Sequence, residues 1–228
     1  MRIGVLGSGT VGRTLAGKLS SLGHAVTIGT RDVEALMART EPDGMGNAPF
    51  SEWKDSWPDI GVETFEAAAA HGELLINATP GGVSVDALEQ AGAANLSGKV
   101  LIDVANPLDF ARGFPPSLSV CNTDSLAEQI QRAFPDAKVV KSLNTVTAAV
   151  MVDPGALTGG DHDVFVSGND QHAKDEVRAL LESFGWKRVL DLGGLETARG
   201  AEMYLPLWLS LMGGPMGGAM FNVKLVQS

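Results

Sequence analysis

Residues 1–12, Met-Arg-Ile-Gly-Val-Leu-Gly-Ser-Gly-Thr-Val-Gly, decide how this chain folds. The apolar run from Ile3 to Leu6 leads without a break into glycines at Gly7, Gly9 and Gly12. Val11, Leu15, Leu19 and Leu22 then recur at helical spacing, Gly23-His24 makes a turn, and residues 25–28 form a second apolar run. Strand, glycine turn, helix and strand in that order are the dinucleotide-binding unit of an α/β fold. That context lifts G-x-G-x-x-G above a chance glycine turn. Gly7 permits the tight turn, Gly9 lets backbone approach a pyrophosphate, and Gly12 lets helix and strand pack closely. Thr10 and Val11 open the helix, whose free N–H groups and positive dipole end face the phosphates.

The end of the second run selects the dinucleotide. NAD sites place an acid there, roughly 20 residues past the glycines, to hold the ribose 2′-hydroxyl. Here the stretch reads Ile28-Gly29-Thr30-Arg31, with no acid before Asp32. A hydroxyl at Thr30 followed by a guanidinium at Arg31 suits a 2′-phosphate, so the expected cofactor is NADP(H). Asp32 is expected as the N-cap of a helix over 33–38.

A chain of 228 residues suits a single domain. We expect a Rossmann-type core over 1–144 and an extension over 145–228 that borders a second-substrate pocket. The formal net charge of −10 argues against a nucleic-acid partner. The one cysteine, Cys121, rules out an internal disulfide framework and is expected to be a buried, inert thiol. The opening apolar run is shorter than a signal-peptide core, and no run reaches the length of a membrane span. A cytoplasmic protein is the expectation. His24, His71, His162 and His172 show neither triad nor metal spacing, so surface or structural roles are expected.

Further strands are predicted at 62–65, 73–79, 99–104, 138–143, 163–168 and 188–192, with helices between them. Ser84 is expected to cap a helix over 85–94, and Ser125 with Glu128 forms a capping box. A Pro/Gly-rich connection spans 109–120, and one apolar helix is expected from Glu196 to about Met212. The turns Thr79-Pro80 and Ala105-Asn106-Pro107 follow predicted strands, at the carboxyl edge where open α/β sheets bind ligands. Thr79, Pro80, Ala105 and Asn106 are therefore candidates for the nicotinamide side, and Asn144 after the sixth strand for the same cleft. Residues 40–61, with Trp53 and Trp57, read equally as a lid over the adenosine end or as a surface insertion around a short helix. The predicted fold is α/β: a doubly wound, mostly parallel sheet that the C-terminal strands and helix extend.

The chain resembles the NADPH-dependent oxidoreductases of the 8-hydroxy-5-deazaflavin coenzyme F420. It is also similar to the NADPH domain of the six-transmembrane ferric reductases. The similarity rests on Gly7-Ser-Gly-Thr-Val-Gly, Gly29-Thr-Arg-Asp, Lys138-Val-Val-Lys-Ser-Leu-Asn-Thr-Val, Asp163-Val-Phe-Val-Ser-Gly-Asn-Asp and Leu190-Asp-Leu-Gly-Gly-Leu. The deazaflavin enzymes usually carry His where this chain has Asn144, whereas the ferric-reductase domain carries Phe-Asn-Thr beside Leu143-Asn-Thr here. The resemblance implies hydride transfer between NADPH and a small-molecule acceptor, a deazaflavin or a flavin. Asn144, Thr145 and the C-terminal Gly/Met stretch would border that second ring.

Two other functions share the cofactor reading: an NADPH-dependent reductase of a small carbonyl or imine, and a non-enzymatic NADPH sensor. The apolar stretch Leu205 to Met212 and the tail after it lead us to expect a homodimer.

Overall fold

The computed structural model describes residues 1–43 and 46–227. The opening unit takes the predicted form, with β1 (Arg2–Leu6), helix α1 (Thr10–Ser21) and β2 (Ala25–Thr30). Helices α2 (Val33–Met37) and α3 (Phe50–Asp55), strand β3 (Gly61–Thr64), α4 (Phe65–His71) and β4 (Leu74–Asn77) follow. Next come α5 (Ser84–Ala91), α6 (Ala93–Leu96), β5 (Val100–Asp103), a two-stranded ribbon of β6 (Leu108–Asp109) with β7 (Ser117–Leu118), and α7 (Leu126–Ala133). The remainder is β8 (Lys138–Ser142), α8 (Ala148–Val152), β9 (Val164–Gly168), α9 (Gln171–Phe184), β10 (Val189–Asp191), α10 (Ala198–Met203) and α11 (Leu205–Gly213).

Eight strands make one sheet in the order β10-β9-β8-β5-β4-β1-β2-β3. Pairing is parallel except between β8 and β9, so the C-terminal strands extend the sheet with reversed direction. The middle of each inner strand is apolar, because both faces are covered. Ile3, Val5, Ile76, Ile102 and Val140 pack with α1, α8 and α9 on one face. Leu6, Leu75, Leu101 and Val139 pack with α4, α5 and α7 on the other. Burying a side chain of this size contributes about 1.5–3 kcal/mol, which is why continuous apolar runs become the central strands.

The parallel register aligns one row of residues across the sheet. Leu6 pairs with Gly29 and Asn77, Asn77 with Asp103, and Asp103 with Lys141. Three polar residues therefore stand side by side at the carboxyl ends of β4, β5 and β8. All three are on the face that α7 covers.

Two of the expected caps are present. Asp32 Oδ1 accepts from the Ala35 N–H at 2.9 Å, and Ser125 Oγ accepts from the Glu128 N–H at 3.1 Å. Four other expectations need correction. Ser84 is the first residue of α5 rather than its cap; its buried hydroxyl meets Asn77 and Thr79 instead. The helix expected over 85–94 breaks at Gly92, whose φ is 86°. The 109–120 connection carries most of the β6–β7 ribbon. The long C-terminal helix divides at Tyr204, ahead of Pro206, since proline cannot continue the hydrogen-bond ladder.

Cys121 is exposed, not buried. His162 is buried, edge-on to Trp186 with ring centroids 5.0 Å apart, and its Nε2 lies 3.0 Å from the Pro154 carbonyl oxygen. Its role is structural. Among the described residues, no helix is long and apolar enough to cross a membrane.

Candidate active site

The glycine turn is built by close contact. Gly7 has φ 122°, and a Cβ on Gly12 would lie 1.9 Å from the Gly7 carbonyl oxygen. Gly9 is the opposite case: a Cβ there would meet nothing within 4 Å. It occupies the N-cap position of α1 with no side-chain cap, leaving the first-turn N–H groups of a 12-residue helix facing open space. That cradle fits a phosphate, and a side chain at Gly9 would fill it.

Segment 46–50 clasps this turn. Asn47 Nδ2 donates to Thr10 Oγ1 at 2.7 Å. Arg13 donates to the Ser8 carbonyl at 2.9 Å and to the Ala48 carbonyl at 2.7 Å, with its guanidinium 5.2 Å from the centroid of the Phe50 ring. Burial pulls the Arg13 pKa down, with Asp43 opposing. Trp57 rests on α1, its ring atoms 3.0 Å from where a Gly17 Cβ would be. The stretch forms a short helix anchored by Trp53 and Trp57, as the surface-insertion reading expects, and its 46–50 segment touches the glycine turn. Gly44 and Met45, also in it, lie outside the described residues. A cavity of about 520 Å³ is lined by Arg13, Leu36, Arg39, Pro49 and Phe50.

At the end of β2, Thr30 is buried and Arg31 exposed. Asp32, the first acid beyond the strand, is already occupied in capping α2. Among the described residues, Arg31 has no carboxylate partner.

The turns after β4 and β5 meet through side chains. Thr79 Oγ1 donates to Asn77 Oδ1 at 2.7 Å, so it points into the protein, while Pro80 is exposed. Asn77 Nδ2 donates to Asp103 Oδ1 at 2.9 Å, and the Ala105 N–H donates to the same oxygen at 3.2 Å. Asn106 and Asn144 bond to each other, and Asn144 also reaches the Ala201 carbonyl of α10 at 3.2 Å. Leu143, just before it, takes φ 62°, a left-handed conformation costly for a side chain of that size. Gly7, Thr79, Ala105, Asn106 and Asn144 are thus brought to one edge of the sheet.

Sequence reasoning missed what lies beneath them. Lys141 Nζ lies 2.8 Å from Asp103 Oδ2 and 2.9 Å from Glu202 Oε1, all three side chains almost fully buried. A lysine inside the apolar run Val139-Val140-Lys141 was the available signal; the acid on α10 has no sequence cue. Burial alone would lower the Lys141 pKa, but the two carboxylates outweigh it and raise it.

Beside Asn106, the ribbon residues Leu108 and Leu118 pack with Leu205, Trp208, Leu209 and Phe221 in a small third core. Two donors there, Tyr204 Oη and Trp208 Nε1, are buried with no partner among the described residues. Burial raises the Tyr204 pKa. Met216 and Met220 in the tail are exposed.

A parallel sheet with an open glycine cradle at its carboxyl edge defines an α/β dinucleotide-binding protein. Residues 2–107 match the family described as NADP oxidoreductase, coenzyme F420-dependent. The F420-dependent NADP reductase of Methanothermobacter marburgensis is 31% identical over 216 residues, 92% of each chain. A crystal structure from Arthrobacter sp. FB24, provisionally named an F420-dependent NADP reductase, is 58% identical with a TM-score of 0.94, covering 99% of both chains. The metalloreductase STEAP3 of Rattus norvegicus is 29% identical over 212 residues, which span 91% of this chain and 38% of the metalloreductase. The chain belongs to the F420-dependent NADP reductase family and is an oxidoreductase.

Proposed function

We propose that this chain transfers hydride between NADPH and the deazaflavin F420. The carrying observation is at the end of β2, where Asp32 is engaged as a cap and Arg31, beside Thr30, has no carboxylate partner among the described residues. A free guanidinium there favours a 2′-phosphate over a bare ribose diol. The cradle at Gly9, with the Thr10, Val11 and Gly12 N–H groups, holds the pyrophosphate. Thr79, Pro80, Ala105 and Asn106 border the nicotinamide, and Asn144 braces that wall. The 145–228 extension supplies the acceptor side, where the unpartnered Tyr204 and Trp208 donors suit the polar edge of a ring.

NADPH, when bound, supplies the hydride. The protein's part is to hold two rings at reacting distance and keep water out, which needs no acid–base pair. Lys141, Asp103 and Glu202 are buried and mutually bonded, so they position rather than transfer protons.

A flavin acceptor is the second reading, favoured by the metalloreductase similarity and by Asn144. The test is anaerobic NADPH oxidation with F420, FMN and FAD offered separately. Turnover with F420 supports the first reading, and turnover with a flavin alone replaces it by the second. Binding without turnover on any of the three leaves the small-carbonyl or sensor functions.

We further propose that the enzyme works in the cytoplasm as a homodimer joined through α11, where Leu207 is 57% exposed. Light scattering that gives a monomer at micromolar concentration would exclude the dimer.

A further inference from the structure

The cluster of Asp103, Lys141 and Glu202 holds one charge more than a brace requires. Lys141 Nζ is fully used as a donor, to Asp103 at 2.8 Å, to Glu202 at 2.9 Å, and to the Ala105 carbonyl. Asp103 accepts from Asn77 and Ala105 as well. Glu202 accepts from the Leu126 N–H at 2.8 Å and the Ala127 N–H at 3.2 Å, the first residues of α7. Every partner of both carboxylates among the described residues is a donor. Two carboxylates against one ammonium leave a net charge of −1 in a buried place. The start of α7 offsets about half a unit of it.

A structural brace alone does not explain that surplus. An Asp103–Lys141 pair would join β5 to β8 with no net charge, and buried ion pairs are weak contributors to stability. The surplus sits next to the site: Asp103 is bonded to Asn77 and Ala105, and Lys141 to Ala105, the ends of β4 and β5.

We propose that Asp103 and Glu202 are positioning residues whose uncompensated negative charge favours the oxidised, cationic nicotinamide over the reduced, neutral one at these strand ends. The inference rests on the NADP(H) reading given above. In the transfer, the C4–H bond of the dihydronicotinamide breaks and its electron pair leaves with the hydrogen. The donor ring passes from neutral to +1. The acceptor ring gains the hydride at carbon, is reduced by two electrons, and takes one proton from water. A fixed negative charge nearby lowers the cost of the charge that develops on the donor, so the cluster biases the bound pair toward hydride donation.

The experiment measures dissociation constants for NADP⁺ and NADPH separately, by calorimetry on the full chain. Glu202→Gln is nearly isosteric and removes one unit of charge. It should raise the ratio Kd(NADP⁺)/Kd(NADPH) about tenfold, the order expected when one nearby buried charge is removed. Glu202→Asp should restore most of the ratio, and Glu128→Gln, removing an acid from the partly exposed Arg199 pair, should leave it unchanged. Equal loss of affinity for both nucleotides in Glu202→Gln, or no change, would reduce the cluster to a brace.

Should that variant fail to fold, the unmodified protein decides. NADP⁺ should bind no more weakly than NADPH, and a preference for NADPH above tenfold overturns the proposal. If neither nucleotide binds the unmodified protein, the NADP(H) reading falls and takes this one with it. If both bind with an unmoved ratio, only the charge proposal falls.

Discussion

Asn106 and Asn144 hold each other across the ends of two adjacent strands. The Asn106 Nδ2 donates to the Asn144 carbonyl at 2.9 Å, and the Asn144 Nδ2 donates to Asn106 Oδ1, also at 2.9 Å. The same Asn144 amide reaches the Ala201 carbonyl, so the sheet edge and α10 are fixed by one side chain. Asn144→Ala leaves the Ala201 and Asn106 groups unpaired at a largely buried position. We expect a loss of about 1–3 kcal/mol in unfolding free energy, read by denaturant titration. A change within a few tenths of a kcal/mol would show that the pair is not a brace.

The glycine turn predicts a contrast between neighbouring positions. At Gly9 an added Cβ meets open space, whereas at Gly12 it collides with the Gly7 carbonyl. Gly9→Ala should therefore fold with near-native stability and bind NADPH at least tenfold more weakly. Gly12→Ala should lose about 1–3 kcal/mol of stability, the usual range for overpacking. Thermal unfolding with nucleotide titration distinguishes them, and a destabilised Gly9→Ala would contradict the assignment of the cradle.

Arg31 tests the cofactor choice. Arg31→Ala should weaken NADPH by about 1.5–3 kcal/mol, the range for a charged hydrogen bond, and leave NADH nearly unchanged. Equal weakening of both would remove Arg31 from the 2′-phosphate.

Acid should loosen α7, both at its own start and where it joins α10. The Arg199 hydrogen bond at 2.5 Å holds the Glu128 carboxyl below its usual range, and the Arg132 hydrogen bond holds Asp124 down to about 2. Both folded pKa values lie below the unfolded ones, which are about 4. The stabilisation is complete above the unfolded values and is lost as pH falls through the folded ones. Tm should stay level from pH 6 to 5 and decline between about 4.5 and 2. Glu128→Gln with Asp124→Asn should flatten that decline. An unchanged pH profile in the double variant would show that these pairs do not control acid stability.

The sequence showed the fold through local rules. The glycine turn, the Asp32 cap and the Ser125 box each act within about five residues, and the strands stand out as apolar runs because both faces are covered. What it hid depends on distance. Asp103 and Lys141 meet because of register, and Glu202 arrives from α10, so nothing near any of them in sequence announces the cluster. Ser84 shows the limit of a cap signature: a serine at a helix start is either the cap or the residue after it, and here Asn77 and Thr79 draw its hydroxyl into the buried network. Cys121 was misplaced because its burial depends on how the 109–125 segment drapes, which composition does not encode. Arg31 was legible as a type, while its freedom from Asp32 needed the structure.

The most direct test of the hydride reading is a single turnover with NADPH carrying deuterium at both C4 positions and F420 as acceptor, followed by mass spectrometry of the reduced deazaflavin. Direct transfer between two apposed rings predicts one deuterium retained on carbon in the product. Product without deuterium, the label having passed to water, would contradict direct hydride transfer in this site.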